Sequence, residues 1–100
     1  MSPTVEYRIE PAEADSFLAA TQALGDARTR NGGYDWRIHE HTCECGRYLE
    51  TFLSASWLDH LRRRERTTLA DKLLQEKAFA FHRDRNPPRV CHLLQRARRD

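Results

Sequence analysis

Apolar residues alternate with polar ones at the start of the chain. Val5, Tyr7 and Ile9 fall on one side of Thr4–Ile9 and Thr4, Glu6 and Arg8 on the other. That is the period of a half-buried strand. Pro11 then opens a helix, with acids in its first turns where the helix dipole favours them. Phe17, Thr21, Leu24 and Arg28 recur at helical spacing, with Leu18 and Ala20 beside them, so one face is partly apolar. Asn31-Gly32-Gly33 stops the helix.

Alternation returns over Tyr34–His41, where Tyr34, Trp36 and Ile38 are expected on one face and Asp35, Arg37, His39 and His41 on the other. Thr42–Gly46 reads as a hairpin turn and Arg47–Ala55 as the returning strand. This third strand carries Tyr48 and Phe52 on one side and Leu49, Leu53 and Ala55 on the other, and so predicts a cover on both faces. Ser56 and Asp59 cap a helix whose buried side is predicted to hold Trp57, Leu58 and Leu61. Thr68 and Asp71 repeat the signal, which predicts a break near Thr67. Leu69, Leu73, Leu74, Ala78 and Phe81 are expected to bury the second piece, and Pro87-Pro88 to end it. Arg89–Leu94 is the last strand, with Val90, His92 and Leu94 against Cys91 and Leu93.

The order β-α-β-β-α-β is the ferredoxin-like α+β arrangement, with a four-stranded antiparallel sheet and both helices on one face. The opposite face is bare. Two such sheets packed face to face make a dimeric α+β barrel, so the two-sided third strand predicts a homodimer.

At 100 residues there is room for one domain, residues 1–100, with 95–100 a basic tail. Hydrophobic residues at 39% and charged residues at 32% exclude a disordered chain. No apolar run approaches the roughly 18 residues of a membrane span. Met1-Ser2-Pro3-Thr4 is not the start of a secretion signal, so a cytoplasmic location is expected. The net charge of +2 is too small to imply a polyanion, yet it divides into −5 over residues 1–60 and +7 over 61–100. Three cysteines, an odd number, fit a reducing compartment.

Several clusters invite chemistry. Trp57 and His60, close together at the start of the second helix, suit a pocket between helix and sheet, although a Trp there equally anchors the helix. His39, His41, Cys43 and Cys45 alternate along a strand, but successive members lie about 6–7 Å apart, and one ion needs all its ligands within about 2.3 Å, so no metal site is expected. Arg62-Arg63-Arg64-Glu65-Arg66 spreads around a helix and reads as a solvated surface. No nucleic-acid module is present, and no nucleic-acid partner is expected. Glu50 shares a strand face with Tyr48 and Phe52, and its acid needs a partner, for which Arg37 and His39 are candidates.

A further set of segments carries a family resemblance. Val5-Glu6-Tyr7-Arg8-Ile9, Gly33-Tyr34-Asp35-Trp36-Arg37-Ile38 and Gly46-Arg47-Tyr48-Leu49-Glu50-Thr51-Phe52 come first. Ser56-Trp57-x-x-His60-Leu61-Arg62, Glu65-Arg66-x-Thr68-x-x-Asp71 and Pro87-Pro88-Arg89-Val90-x-His92-Leu93 follow. Over residues 4–94 the chain resembles the cytosolic C-terminal domain of bacterial major-facilitator exporters called transmembrane secretion effectors, relatives of enterobactin exporters. That tail is similar in fold to antibiotic biosynthesis monooxygenases, which are dimeric α+β barrels.

The resemblance implies a non-catalytic cytosolic module for dimerisation or small-ligand sensing, tethered to a transporter in relatives. The alternative is a cofactor-independent monooxygenase acting on an aromatic metabolite. Such enzymes use pocket Trp, Asn, Tyr or Arg, which makes Tyr7, Tyr34, Trp36, Arg37 and Trp57 candidates by residue type. Haem-degrading members of that fold use an Asn on the first strand, and Thr4–Ile9 holds none. The expected pocket residues are Tyr7, Trp36, Trp57, His60 and His92. The expected ligand is small and aromatic or siderophore-like, with no cofactor.

Overall fold

The computed structural model describes residues 2–54, 58 and 68–93. Strand β1 covers Ser2–Arg8, and a 3-10 turn at Pro11–Glu13 leads into helix α1, Ala14–Arg30. Strands β2, Tyr34–Glu40, and β3, Arg47–Leu53, form the hairpin. Helix α2, Leu69–Phe79, and strand β4, Arg89–Leu93, complete the described elements. The sheet is antiparallel with order β2-β3-β1-β4, the ferredoxin-like arrangement.

Both helices lie on the face formed by Val5, Tyr7, Tyr48 and Phe52, all buried. Aromatic edges lock this layer. Phe17 of α1 lies with its ring centroid 5.0 Å from Tyr7 and 5.2 Å from Tyr48, and Phe79 of α2 meets Tyr7 at 5.6 Å. Helix α1 buries Phe17, Ala20, Thr21 and Leu24, as the spacing predicts. Its end is a Schellman motif. Gly32 takes φ 94, Gly32 N–H donates to Thr29 O at 3.0 Å and Gly33 N–H to Arg28 O at 2.9 Å.

Four expectations change. Pairing shifts register between Tyr34 and Arg37, where Asp35 takes φ 52. This bulge sets Tyr34 opposite Leu53, on the open face of the sheet, while Ile38 faces Glu50 on the helix side. Tyr34 therefore does not share a face with Ile38 as strict alternation requires, and it is half exposed.

The second change concerns α2. Thr68 Oγ1 accepts from Asp71 N–H at 3.1 Å and the Asp71 carboxylate accepts from Thr68 N–H at 3.3 Å, the predicted capping box. This start excludes an unbroken helix from Trp57 to His82. Asp71 also binds Arg30 and Asn31 at the end of α1, which fixes the rotation of α2. Asp71 and Ala78 turn inward, so Leu69 and Leu73, expected in the core, are exposed. Leu58, also expected to be buried, is exposed.

Third, α2 ends at Phe79, eight residues before Pro87. A competing partner removes the chain from the helix. Arg83 N–H donates to Arg8 O at 2.7 Å, Arg8 N–H donates to His82 Nδ1 at 2.9 Å, and His82 bridges Ile9. Fourth, Thr4, assigned to the polar face of β1, is buried.

Trp36 reaches across to α1 because Gly25 leaves room. A Cβ at Gly25 would lie 2.6 Å from Trp36 Cδ2, inside any real contact. Gly25→Ala is expected to destabilise the fold by about 1–3 kcal/mol, read as a lower urea midpoint. A change within about 0.5 kcal/mol, as at ordinary surface positions, would show that the indole moves freely.

Candidate functional site

A carboxyl group in mid-strand faces the helix layer and organises the site. Glu50 is 0% exposed. Its Oε1 accepts from Tyr7 Oη at 2.9 Å, and its Oε2 accepts from Trp36 Nε1 at 2.9 Å and Arg28 Nε at 3.1 Å. The Arg28 guanidinium lies over the Phe52 ring at 5.2 Å and donates from Nη1 to Gln75 Oε1 at 3.0 Å, tying α1 to α2. Burial, then the adjoining Glu50 charge, pushes the Tyr7 hydroxyl well above its ordinary range. Tyr7 is thus a hydrogen-bond donor, not a phenolate.

The anticipated partners of Glu50 were Arg37 and His39. The register sets these opposite Thr51 and Leu49, on the other face, and Arg37 binds Asp35 instead at 3.0 Å. Glu50 takes its cation from a helix because the neighbouring strand turns its polar side chains away.

Beside this network a cavity of about 460 Å³ opens between the two helices and the sheet. Val5, Leu24, Phe52 and Phe79 give it apolar walls. Arg28, Lys72, Gln75 and His92 supply polar groups, and Asp71 and Asn31 close one end. This size falls within the usual range for small-molecule sites.

Asp71 is committed to structure. Its Oδ2 accepts from Asn31 Nδ2 at 3.0 Å and its Oδ1 from Arg30 Nη2 at 3.1 Å. The Asn31 amide foremost, then the Thr68 N–H and Arg30, outweigh burial and hold its carboxyl down at about 2.

Of the sequence-predicted pocket residues, His92 lines the cavity. Tyr7 and Trp36 meet at Glu50, in the wall behind it. Tyr34 and Arg37 belong to the opposite face. Trp57, His60 and the Arg62–Arg66 run lie outside the described residues. Among the described residues, no group of three or more His, Cys, Asp or Glu side chains is placed to hold a metal ion, and Cys43 and Cys45 are exposed at the hairpin tip. Arg28, Lys72 and Gln75 were not foreseen as site residues. Arg28 left a signal, a charge on the buried stripe of α1; Lys72 and Gln75 left none, since the rotation of α2 is set by tertiary contacts.

The family model for transmembrane secretion effectors matches residues 2–100. The chain belongs to this family. Its solved structural neighbours share the fold at low identity. A Caulobacter crescentus protein classed with the antibiotic biosynthesis monooxygenases superposes with a TM-score of 0.74 at 18% identity, covering 92% of this chain and 85% of that one. A Bordetella bronchiseptica protein of the same class gives 0.77 at 13% identity, with 96% of each chain covered. A conserved Methanosarcina mazei protein gives 0.73 at 6% identity, covering 90% and 86%. No curated protein matches the chain by sequence. In this secretion-effector domain, no helix among the described residues is long and apolar enough to cross a membrane.

Glu50→Gln leaves Arg28 without its counter-charge, and is expected to cost about 3–5 kcal/mol in urea unfolding. Replacing both partners, Glu50→Leu with Arg28→Met, is expected to recover part of that loss. A cost under about 1 kcal/mol for Glu50→Gln would contradict a buried pair.

Asp71 gives a pH test. Its folded value of about 2 lies below the ordinary 3.8, so its stabilisation is complete above pH 4 and is lost as pH falls toward 2. The stability gap between the parent and Asp71→Asn should be widest near neutrality and narrow through that window. A gap that stays constant to pH 2 would refute the assignment.

Proposed function

We propose that this domain is a non-catalytic module that pairs with itself and binds a small aromatic ligand, as a sensing part of a secretion-effector protein. The observation that carries this reading is the cavity between helices and sheet, together with the state of the groups beside it. The buried acid that would serve as a general base is engaged by Tyr7, Trp36 and Arg28 at once. A base needs a free position within hydrogen-bond reach of substrate, and Glu50 sits behind the cavity wall. Apolar walls backed by polar groups that are already paired suit recognition.

Self-association is supported by the open face of the sheet. Leu49 and Leu53 of β3 are half-buried there; Tyr34, opposite Leu53, and Leu93 are exposed at the Leu53 end, while Leu49 lies farther along beside His39 and Glu6. A facing copy would cover this apolar end.

The second reading is a cofactor-independent monooxygenase, favoured by the fold shared with the Caulobacter and Bordetella proteins. Fold likeness alone is a weak warrant for chemistry.

The test combines two measurements on the purified chain. Light scattering at micromolar concentration is expected to give twice the 11.8 kDa chain mass; a monomer removes the pairing. A panel of naphthalene derivatives is expected to raise the melting temperature saturably without oxygen uptake above buffer. Oxygen consumption that Arg28→Met abolishes would replace this reading with the oxygenase.

A further inference from the structure

The charges around the cavity are unequal in how far they are used. Asp71 is the acid in the lining, and both its oxygens are occupied, Oδ1 by Arg30 and Oδ2 by Asn31 and Thr68. Among the described residues no lining carboxylate is left to receive a cationic ligand. The cations differ. The Lys72 ammonium has no hydrogen-bond or ion-pair partner among the described residues, and Lys72 is an exposed residue of the lining.

Arg28 is half committed. Its Nε serves Glu50 and its Nη1 serves Gln75, while Nη2 has no acceptor among the described residues. Every buried side-chain nitrogen and oxygen there has a partner, so Nη2 is not sealed inside; it belongs to a side chain that lines the cavity. Its orientation is already fixed, because Glu50 and the Phe52 ring hold the guanidinium plane. A guanidinium held in place gives up little conformational freedom on meeting an anion.

Resting on the ligand-binding reading above, we propose that the cavity selects a small amphipathic anion, an aromatic carboxylate in its simplest form. The carboxylate is received by Arg28 Nη2 and Lys72 Nζ. The ring lies against Val5, Leu24 and Phe79. Arg28 thereby joins the ligand to the buried Glu50, and through Gln75 to α2. The site lies on the helix side of the sheet, away from the face on which a second copy would pack, so binding does not require the pair.

Three probes of one shape and different charge test this: 1-naphthoate, 1-naphthalenemethanol and 1-naphthylmethylamine, titrated by calorimetry into the full chain. The acid is expected to bind about tenfold more tightly than the alcohol, and the amine more weakly than either. Added salt should weaken the acid alone. Lys72→Met, at an exposed position that leaves the core intact, should reduce the acid's advantage several-fold, and Lys72→Arg should restore it. Amide shifts induced by the acid should map to Val5, Leu24, Arg28 and Lys72.

Equal binding of acid and alcohol would overturn the anion preference while leaving a ligand-binding module. Acid-induced shifts confined to residues outside the cavity would place the acid elsewhere and overturn the site. Failure of all three probes to bind at millimolar concentration would overturn both the preference and the binding function beneath it.

Discussion

A carboxyl group with no access to water, in the middle of a central strand, is the constraint on which the rest of this domain depends. An unpaired carboxylate in such a place would cost several kcal/mol. Glu50 is tolerable because three donors reach it from three separate elements, Tyr7 from β1, Trp36 from β2 and Arg28 from α1. Each donor fixes something else. The reach of Trp36 requires Gly25 in α1 to have no Cβ. The position of Arg28 orders Phe52 beneath it and Gln75 beyond it. The spacing between helices and sheet therefore follows from electrostatic satisfaction as well as from apolar burial, and the cavity occupies the space left beside the network.

A single bulge distributes the chemistry of the two faces. With Asp35 in the left-handed region, β2 keeps Ile38 on the helix side and releases Tyr34 to the open side. Arg37 and His39 go with Tyr34. The helix side is left with a closed polar network and a cavity; the open side has an apolar end and a charged end. These are chemically different surfaces. The proposed ligand and the proposed second copy would meet the first and the second of these surfaces respectively.

The secretion-effector family and the proteins classed as monooxygenases share one fold. A shared fold does not carry the chemistry, which rests with the side chains of the site. Catalysis asks for groups left partly unsatisfied and aimed at substrate. Among the described residues the buried polar groups satisfy one another, and Arg28 Nη2 and Lys72 Nζ, which have no acceptor there, are cationic donors.

The local code of the chain determined its elements. Alternation placed Val5, Tyr7 and Ile9 inside, helical spacing did the same for Phe17, Thr21 and Leu24, and the Thr68–Asp71 box started α2, because these signals act between residues a few positions apart. The same signals failed wherever a distant residue competed. Tyr34 changed face at a bulge that alternation cannot register. Leu69 and Leu73 were left outside because Asp71 is held by the end of α1, and α2 stopped at Phe79 because β1 takes up the following backbone. The site was legible in part. Tyr7, Trp36 and His92 carried their residue types openly, and Arg28 announced itself as a charge on a buried stripe. That Glu50 would gather Tyr7 and Trp36 around Arg28, and that the Lys72 ammonium would line a cavity with no partner among the described residues, was decided by tertiary structure alone, since the partners of a buried charge are chosen by distance in space and not by distance along the chain.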